Sequence, residues 1–349
     1  MDHNVVFPKP LADYCAQLMQ AQGVPPEEAR IIGDHLVEAE CCGLSSHGVS
    51  RTAIYLKRLE TGVVNAKWSY RAVREYPASI QWDACNSMGM VTGVRAMERC
   101  IEKAREAGSC VIAAEHSNHF GMAGHYAKMA AEAGMIGFCI SNAPPNIAPT
   151  GSYRPYMGTN PLAISAPRRD GAPLLLDIAL SVVAMGKVIL AAKLGKPIPE
   201  GWAITADGRP TTNAAEGQKG TVLPVGGHKG YGISLFIDIL SGILSGAQFG
   251  PYLNNMWNDF VNPQDVGHFF AAIDISKFVG LDTFLDRIEM MCTDIKALPK
   301  NPGGDEIFLP GEIEERKKVQ AQKDGLVLSD IVYNELLDLG THYGVARTI

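Results

Sequence analysis

Residues 45–51 read SSHGVSR and bring a hydroxyl, an imidazole and a guanidinium close together in the chain. Ser46 adjoins His47, and Arg51 follows four positions later, a spacing that puts His47 and Arg51 on one face of a helix. An arginine grips a carboxylate through two parallel hydrogen bonds. An imidazole titrates near neutrality and moves protons. A substrate with a carboxylate beside a carbonyl or hydroxyl needs that pair. The same residues also read plainly as a helix cap followed by an exposed arginine.

A second cluster is EHSNHFGMAGHYA, 115–127, which holds His116, His119 and His125 between a strand and a helix. As a ligand set the three would make a metal-dependent hydrolase. None of their spacings gives two histidines at i and i+4 of one helix with a glutamate between them. His119 stands beside Gly121 and Gly124, where a ligand can approach the backbone, a position suited to a general acid or base. His116 and His125 read as loop histidines bonded to backbone.

Three further segments could bind a ligand. YMGTNPLAISAP, 156–167, sets Thr159 in a turn before a strand. LLLDIA ends a hydrophobic strand in Asp177, an acid that either bonds a ribose hydroxyl or caps a helix. GHKGYG offers Lys229 at a helix N-terminus, where free N–H groups favour an anion such as pyrophosphate. The dinucleotide fingerprint G-x-G-x-x-G, the P-loop and G-x-S-x-G are all missing from the chain.

These residues need elements to hold them. Helices are predicted over 10–23 and 25–43, each with a closing glycine, and Ser46 is the expected N-cap of a helix running through Arg51. In that helix Val49, Ile54, Leu56 and Leu59 would form the buried stripe. Helices over 90–108 and within 121–134 alternate with strands over 110–116 and 135–142, and PLAISAP and PLLLDIA are further strands. Residues 195–227 read as loop, 229–246 as an apolar helix buried on most sides, 268–275 as a strand, and the rest as helices. The alternation argues for an α/β protein.

The 349 residues are 46 % apolar and 19 % charged, with a net charge of −6. That predicts a large core and, lacking a basic run, no nucleic-acid partner. No window is long and apolar enough for a membrane span. The eight cysteines include no CxxC pair, and the opening residues have no secretory pattern. The expectation is a cytoplasmic protein with free thiols.

Taken in order, S-H-G-x-x-R at 46–51, H-x-G-x-A at 119–123, GTNP at 158–161, D-I-A at 177–179 and the lysine of GHKGYG resemble the type 2 malate/L-lactate dehydrogenases. That family includes ureidoglycolate, sulfolactate and diketogulonate oxidoreductases and cyclic imino acid reductases. The resemblance runs from about residue 10 to 335. It implies an α/β fold with a non-Rossmann, mixed-sheet NAD(P)-binding domain, 76–299, and a helical domain built from both chain ends, 1–75 with 300–349. It further implies NAD or NADP as cofactor, a small carboxylate substrate, and a homodimer or higher homo-oligomer with the active site near a subunit interface.

Position by position, the resemblance makes His119 and His47 the candidates for proton transfer, with Ser46 as partner. Arg51 becomes the carboxylate grip, with Thr159 beside the substrate. Asp177, Ile178, Ala179, Lys229, Gly311 and Glu312 become cofactor residues. Where some relatives carry a serine after the strand ending in SN, this chain has Ala143, then Pro144 and Pro145. A family member that binds cofactor without turnover is a further possibility, against which the intact His47, His119 and Arg51 speak.

Overall fold

The computed structural model describes residues 4–349. Its first two helices, α1 (Pro8–Ala21) and α2 (Pro26–Cys41), each carry a proline in the first turn, where its missing N–H costs nothing. Gly33 lets them pack closely, since a Cβ there would lie 2.5 Å from the Ala12 carbonyl oxygen. The third helix, α3 (Thr52–Glu60), follows a short 3-10 turn over Val49–Arg51. The expected serine cap is absent, because residues 45–48 form turns and the Ser46 hydroxyl is used elsewhere. Val49, Leu56 and Leu59 are buried and Ile54 partly so, joined by Tyr55, which the apolar pattern did not flag.

Both chain ends contribute to one core. Leu11, Ile32 and Leu56 cluster with Ala321 of the helix Glu312–Asp324 and Leu336 of the helix Asp330–Tyr343. The Tyr14 hydroxyl donates to the Leu336 carbonyl at 3.1 Å, and Asn4–Val6 pairs antiparallel with Leu326–Leu328.

The middle of the chain builds a seven-stranded sheet from β1 (Arg71–Tyr76), β2 (Ser79–Asp83), β3 (Ser109–Ser117), β4 (Met135–Ser141), β5 (Leu162–Ala166), β6 (Leu174–Ile178) and β7 (Val266–Asp274). The spatial order is β1-β2-β3-β7-β4-β5-β6. Only β2 and β3 run parallel; the other five neighbouring pairs are antiparallel. Helices α4 (Gly89–Ala107) and α5 (Ala123–Glu132) cover one face through Met97, Cys100, Tyr126 and Ala130. A second cluster around Ile140, Leu180, Val188, Val222 and Ile237 lies against Phe138 and Phe269.

Several expectations need correction. Strands β1 and β2 and a helix over Met185–Lys193 were not anticipated, and 195–227 contains three two-residue strands. The apolar helix is His228–Asp238 followed by a π-helical turn, Ile239–Ile243, and it is not buried on most sides. Its inward face carries Ser234, Ile237, Asp238 and Ser241, while Ile233, Phe236, Ile243 and Leu244 are 45–64 % exposed. Among the described residues all eight cysteines are unpaired, and no helix is long and apolar enough to cross a membrane.

Candidate active site

The segment after α2 is held down by Glu40. Its carboxylate accepts from the Ser45 hydroxyl at 2.6 Å and the Val49 N–H at 3.2 Å, and a Cβ at Gly48 would collide with it. His47 therefore sits in a turn, its N–H donating to the Leu44 carbonyl at 2.8 Å, and not on a helix shared with Arg51. The two still meet through Ser46. The Ser46 hydroxyl lies 2.9 Å from His47 Nδ1, and Arg51 Nε donates to the Ser46 carbonyl at 2.5 Å. The Arg51 guanidinium stacks over Trp257, 4.5 Å from the ring centre. Arg51 makes no ion pair among the described residues.

His119 reaches the same place from the turn between β3 and α5. Its ring stacks on that of His47 with centroids 5.6 Å apart and 22° between planes. Nδ1 lies 2.6 Å from the Tyr55 hydroxyl, and the backbone N–H donates to Gln264 Oε1 at 3.0 Å. Beyond it, Phe120 stacks on the buried His268, which bridges the hydroxyls of Ser141 and Ser117 at 2.8 and 2.9 Å. Gly121 takes φ 76° directly over His35, and His35 Nε2 accepts the Met122 N–H at 2.8 Å. The loop that presents His119 is thus braced from both sides.

The electrostatics follow from burial and from Arg51. Desolvation, then the Arg51 charge, lowers the His47 imidazole to about 4. Desolvation, then His47 and Arg51, holds His119 well below the usual histidine range. Burial raises the Tyr55 phenol. At neutral pH the site therefore contains two uncharged imidazoles, a protonated phenol and one uncompensated guanidinium.

The histidine cluster comes apart. His116 is exposed and pairs with Asp83 at 3.1 Å, whereas His125 bonds Glu38 at 2.6 Å. Both bond side chains and not the backbone bonds expected. With three histidines on three different partners, and no metal-competent group of three or more among the described residues, the hydrolase reading loses its ligand set.

A second group of candidates surrounds a cavity of about 210 Å³ lined by Glu38, Met122, Gly124, Asp177, Gly311 and Glu314, among others. Asp177, near the end of β6, accepts the Gly124 N–H at 2.8 Å, so it caps α5. Desolvation pushes its carboxyl up to about 6. Gly311 joins β6 through its neighbour Pro310, whose carbonyl accepts the Leu175 N–H at 3.1 Å. Ile178 and Ala179 are exposed just beyond. The Glu312 carboxylate is occupied, taking the Leu309 N–H at 2.8 Å and pairing with Lys296.

Two candidates stand elsewhere. Thr159 offers its carbonyl to the Leu180 N–H at 2.7 Å, and the neighbouring Asn160 anchors that turn to Ala143 and Ser234. Lys229 is exposed in the first turn of its helix, beside a cleft of about 420 Å³ lined by Thr150, Ser152, Gly226, Gly227 and His228. Neither contacts the histidine pair.

Against known proteins, residues 7–337 match the sequence profile of malate/L-lactate dehydrogenase. The chain belongs to that family. Among its relatives in the malate/L-lactate dehydrogenase family, a malate dehydrogenase of Pyrococcus horikoshii is 40 % identical over 355 residues, covering 99 % of this chain and 98 % of the relative. A (2R)-3-sulfolactate dehydrogenase (NADP(+)) of Chromohalobacter salexigens is 37 % identical, covering 91 % and 92 %. The solved sulfolactate dehydrogenase of Methanocaldococcus jannaschii superposes with a TM-score of 0.93 at 35 % identity, over 98 % of each chain.

Tyr55, Trp257, Gln264, His35 and His268 were absent from the sequence candidates. Only Tyr55 carried a signal, being one helical turn after Arg51.

Proposed function

We propose that this chain is an NAD(P)-dependent oxidoreductase that moves a hydride between nicotinamide and C2 of a small 2-hydroxy/2-oxo carboxylic acid of the malate/lactate type. The observation that carries this reading is Arg51, a cation without an acidic partner among the described residues, beside the stacked neutral imidazoles of His47 and His119. A half-buried guanidinium whose Nε–H is taken by the Ser46 carbonyl but whose two terminal NH2 groups bond no described residue invites a carboxylate that the protein does not supply.

The roles follow from the chemistry. Arg51 orients the carboxylate. The nicotinamide, when bound, donates or accepts the hydride at C2. During oxidation the hydroxyl proton passes to Nε2 of His119, whose Nδ1 faces the Tyr55 hydroxyl at 2.6 Å and the Gly121 N–H at 3.4 Å. During reduction the carbonyl π pair moves onto oxygen, which takes that proton back. The Tyr55 hydroxyl serves both states because it stays protonated and can donate or accept. Proton transfer of this kind is worth roughly two to four powers of ten in rate. His47, with Ser46, is the second candidate for the same role, and Thr159 is assigned to the substrate's surroundings.

Asp177, Ile178, Ala179, Gly311 and Glu312 are assigned to the cofactor, with Lys229 toward its phosphates. The lining around Asp177 fits a ribose: Gly124 and Gly311 stay open where a Cβ would lie 2.6 Å from Asp177 Oδ2 and 3.0 Å from the Leu175 Cβ. Asp177 is an acceptor for a diol. Asp177, Glu38, Glu314 and Glu315 share that cavity with one lysine, Lys128, itself near Glu38 at 3.6 Å and Glu315 at 3.9 Å. Such a lining favours NAD over NADP. The mostly antiparallel sheet supports cofactor binding by a non-Rossmann arrangement, with 76–299 as the binding domain and 1–75 with 300–349 as the helical one.

The exposed row Ile233, Phe236, Ile243 and Leu244 supports a homodimer. Eight thiols without a disulfide suit the cytoplasm.

A panel of 2-oxo acids and cyclic imines, followed by cofactor absorbance with NADH and NADPH, tests the assignment. Turnover of at least one 2-oxo acid is expected. Inactivity across the panel with both cofactors overturns it.

A further inference from the structure

The loop from Asn254 to Gln264 is closed at its neck, where the Asn254 side chain donates to the Pro263 carbonyl at 2.8 Å and its N–H to the Gln264 carbonyl at 3.3 Å. Inside it, Asp259 Oδ1 accepts the N–H groups of Val261 and Asn262 at 3.0 and 2.8 Å. Arg58, buried on α3, donates to the carbonyls of Met256 and Asp259 at 3.3 and 2.7 Å. Met256 is buried in the core shared by the chain ends, whereas the next residue, Trp257, is 49 % exposed and lies against Arg51. Gln264, at the other end of the loop, is buried and accepts the His119 N–H. One compact loop therefore contacts both functional residues, Arg51 through its side chain and His119 through its backbone.

We infer that Trp257 is a positioning residue for substrate binding, its indole holding the Arg51 guanidinium by the face so that the edge formed by the two terminal NH2 groups stays available to a carboxylate while Nε–H remains on the Ser46 carbonyl. This rests on the reading of Arg51 as the carboxylate grip. The choice of an aromatic partner is what the chemistry requires. A carboxylate in place of Trp257 would pin Arg51 equally well but would consume the N–H groups the substrate needs and cancel the charge. A π face attracts the cation while leaving those groups free. Arginine otherwise loses considerable side-chain freedom when it binds a ligand, and a partner that holds it beforehand removes much of that cost from each binding event. Arg58 and Met256 hold the loop that holds the indole.

The test compares two substitutions of similar bulk in the full-length protein, Trp257→Leu and Trp257→Phe, with Arg51→Lys run in parallel on whichever 2-oxo acid of the panel turns over. Both are smaller than tryptophan and close to each other in size; leucine loses the π face and phenylalanine keeps it. Trp257→Leu should raise KM about five- to thirtyfold, change kcat by less than about threefold and leave NADH affinity unaltered, while Trp257→Phe stays within about threefold of the parent KM. Equal KM values for the leucine and phenylalanine variants overturn the inference, as does a loss in kcat at unchanged KM. A normal KM for Arg51→Lys overturns instead the reading of Arg51 itself. If Arg51→Lys raises KM and Trp257→Leu does not, only the role of Trp257 fails. Thermal unfolding of each variant accompanies the kinetics, and the phenylalanine–leucine difference remains decisive because the two are similar in bulk and only phenylalanine presents a π face to Arg51.

Discussion

The Tyr55 hydroxyl stands 2.6 Å from Nδ1 of His119, although 64 positions separate the two residues. Tyr55 is buried at 3 % exposure on α3, and His119 enters from the turn after β3. The bond fixes the ring's orientation and leaves Nε2 as the nitrogen that can face a ligand. Tyr55→Phe should therefore lower kcat about tenfold or more with little change in cofactor affinity, since it leaves the buried Nδ1 only the long contact from the Gly121 N–H at 3.4 Å, and losing a buried partner costs about 1–3 kcal/mol. Parental kcat in that variant would remove Tyr55 from the mechanism.

Replacing the imidazole itself is more severe. His119→Ala should cut turnover by roughly a hundredfold to ten-thousandfold while cofactor titration stays near the parent. His47→Ala should cost less if His119 carries the proton. A His119→Ala enzyme within about threefold of parental turnover would transfer the role to His47.

The pH dependence has a definite sign. Both imidazoles are depressed, His47 to about 4, so their neutral, proton-accepting forms persist as pH falls below the ordinary histidine range. For oxidation of the hydroxy acid, kcat/KM should hold from pH 8 down through about 6.5 and decline only on further acidification. A decline already centred at or above pH 7 would contradict the depressed histidines.

Cofactor preference is testable without turnover. Fluorescence titration of the protein alone should give at least about tenfold tighter binding of NADH than NADPH at pH 8, because a 2′-phosphate would meet the carboxylates of Asp177 and Glu314. The preference should shrink toward pH 5, as Asp177 takes a proton near pH 6. Asp177→Asn retains an acceptor for the Gly124 N–H and should narrow the gap at pH 8. Equal affinities for the two cofactors would refute the assignment.

Acid should also weaken the fold. His35 and His268 are fully buried, and burial lowers both, His268 to about 3. In the unfolded chain each binds a proton below about pH 6.5, while the folded protein refuses it, so stability falls with pH across that window. Each histidine should cost roughly 1.5–2 kcal/mol between pH 6.5 and 5. Urea unfolding at the two pH values measures this, and His268→Gln should reduce the loss. An unchanged difference in His268→Gln would mean that His268 is not the group that titrates.

Much of the scaffold was legible because punctuation was strong. Glycines 23, 43, 108 and 134 all adopt positive φ where helices end, as their spacing after apolar periodic segments predicts. Strand β1 was not legible, since all six of its residues are exposed, several are charged, and no apolar alternation marks it. For the site, residue chemistry pointed to Ser46, His47, Arg51 and His119, and the fold brings these four together. The reason offered for His47 and Arg51, a common helical face, was mistaken: the Ser46 carbonyl joins them in a turn. Trp257, Gln264 and His35 escaped notice because their contacts with this region span 87 to 206 positions. Those partnerships exist only in three dimensions.

The order of the sheet bears on how the enzyme matures. Its middle strand, β7, is the last of the seven to be synthesised, so until it is made no strand joins β1-β2-β3 to β4-β5-β6, and each set would keep an open inner edge. In the folded sheet β7 pairs with both, and His268 on it reaches Ser117 on one side and Ser141 on the other. Ribosome-bound chains ending before residue 266 would carry every proposed catalytic side chain yet lack the seam that fixes them, and activity would switch on only late in translation.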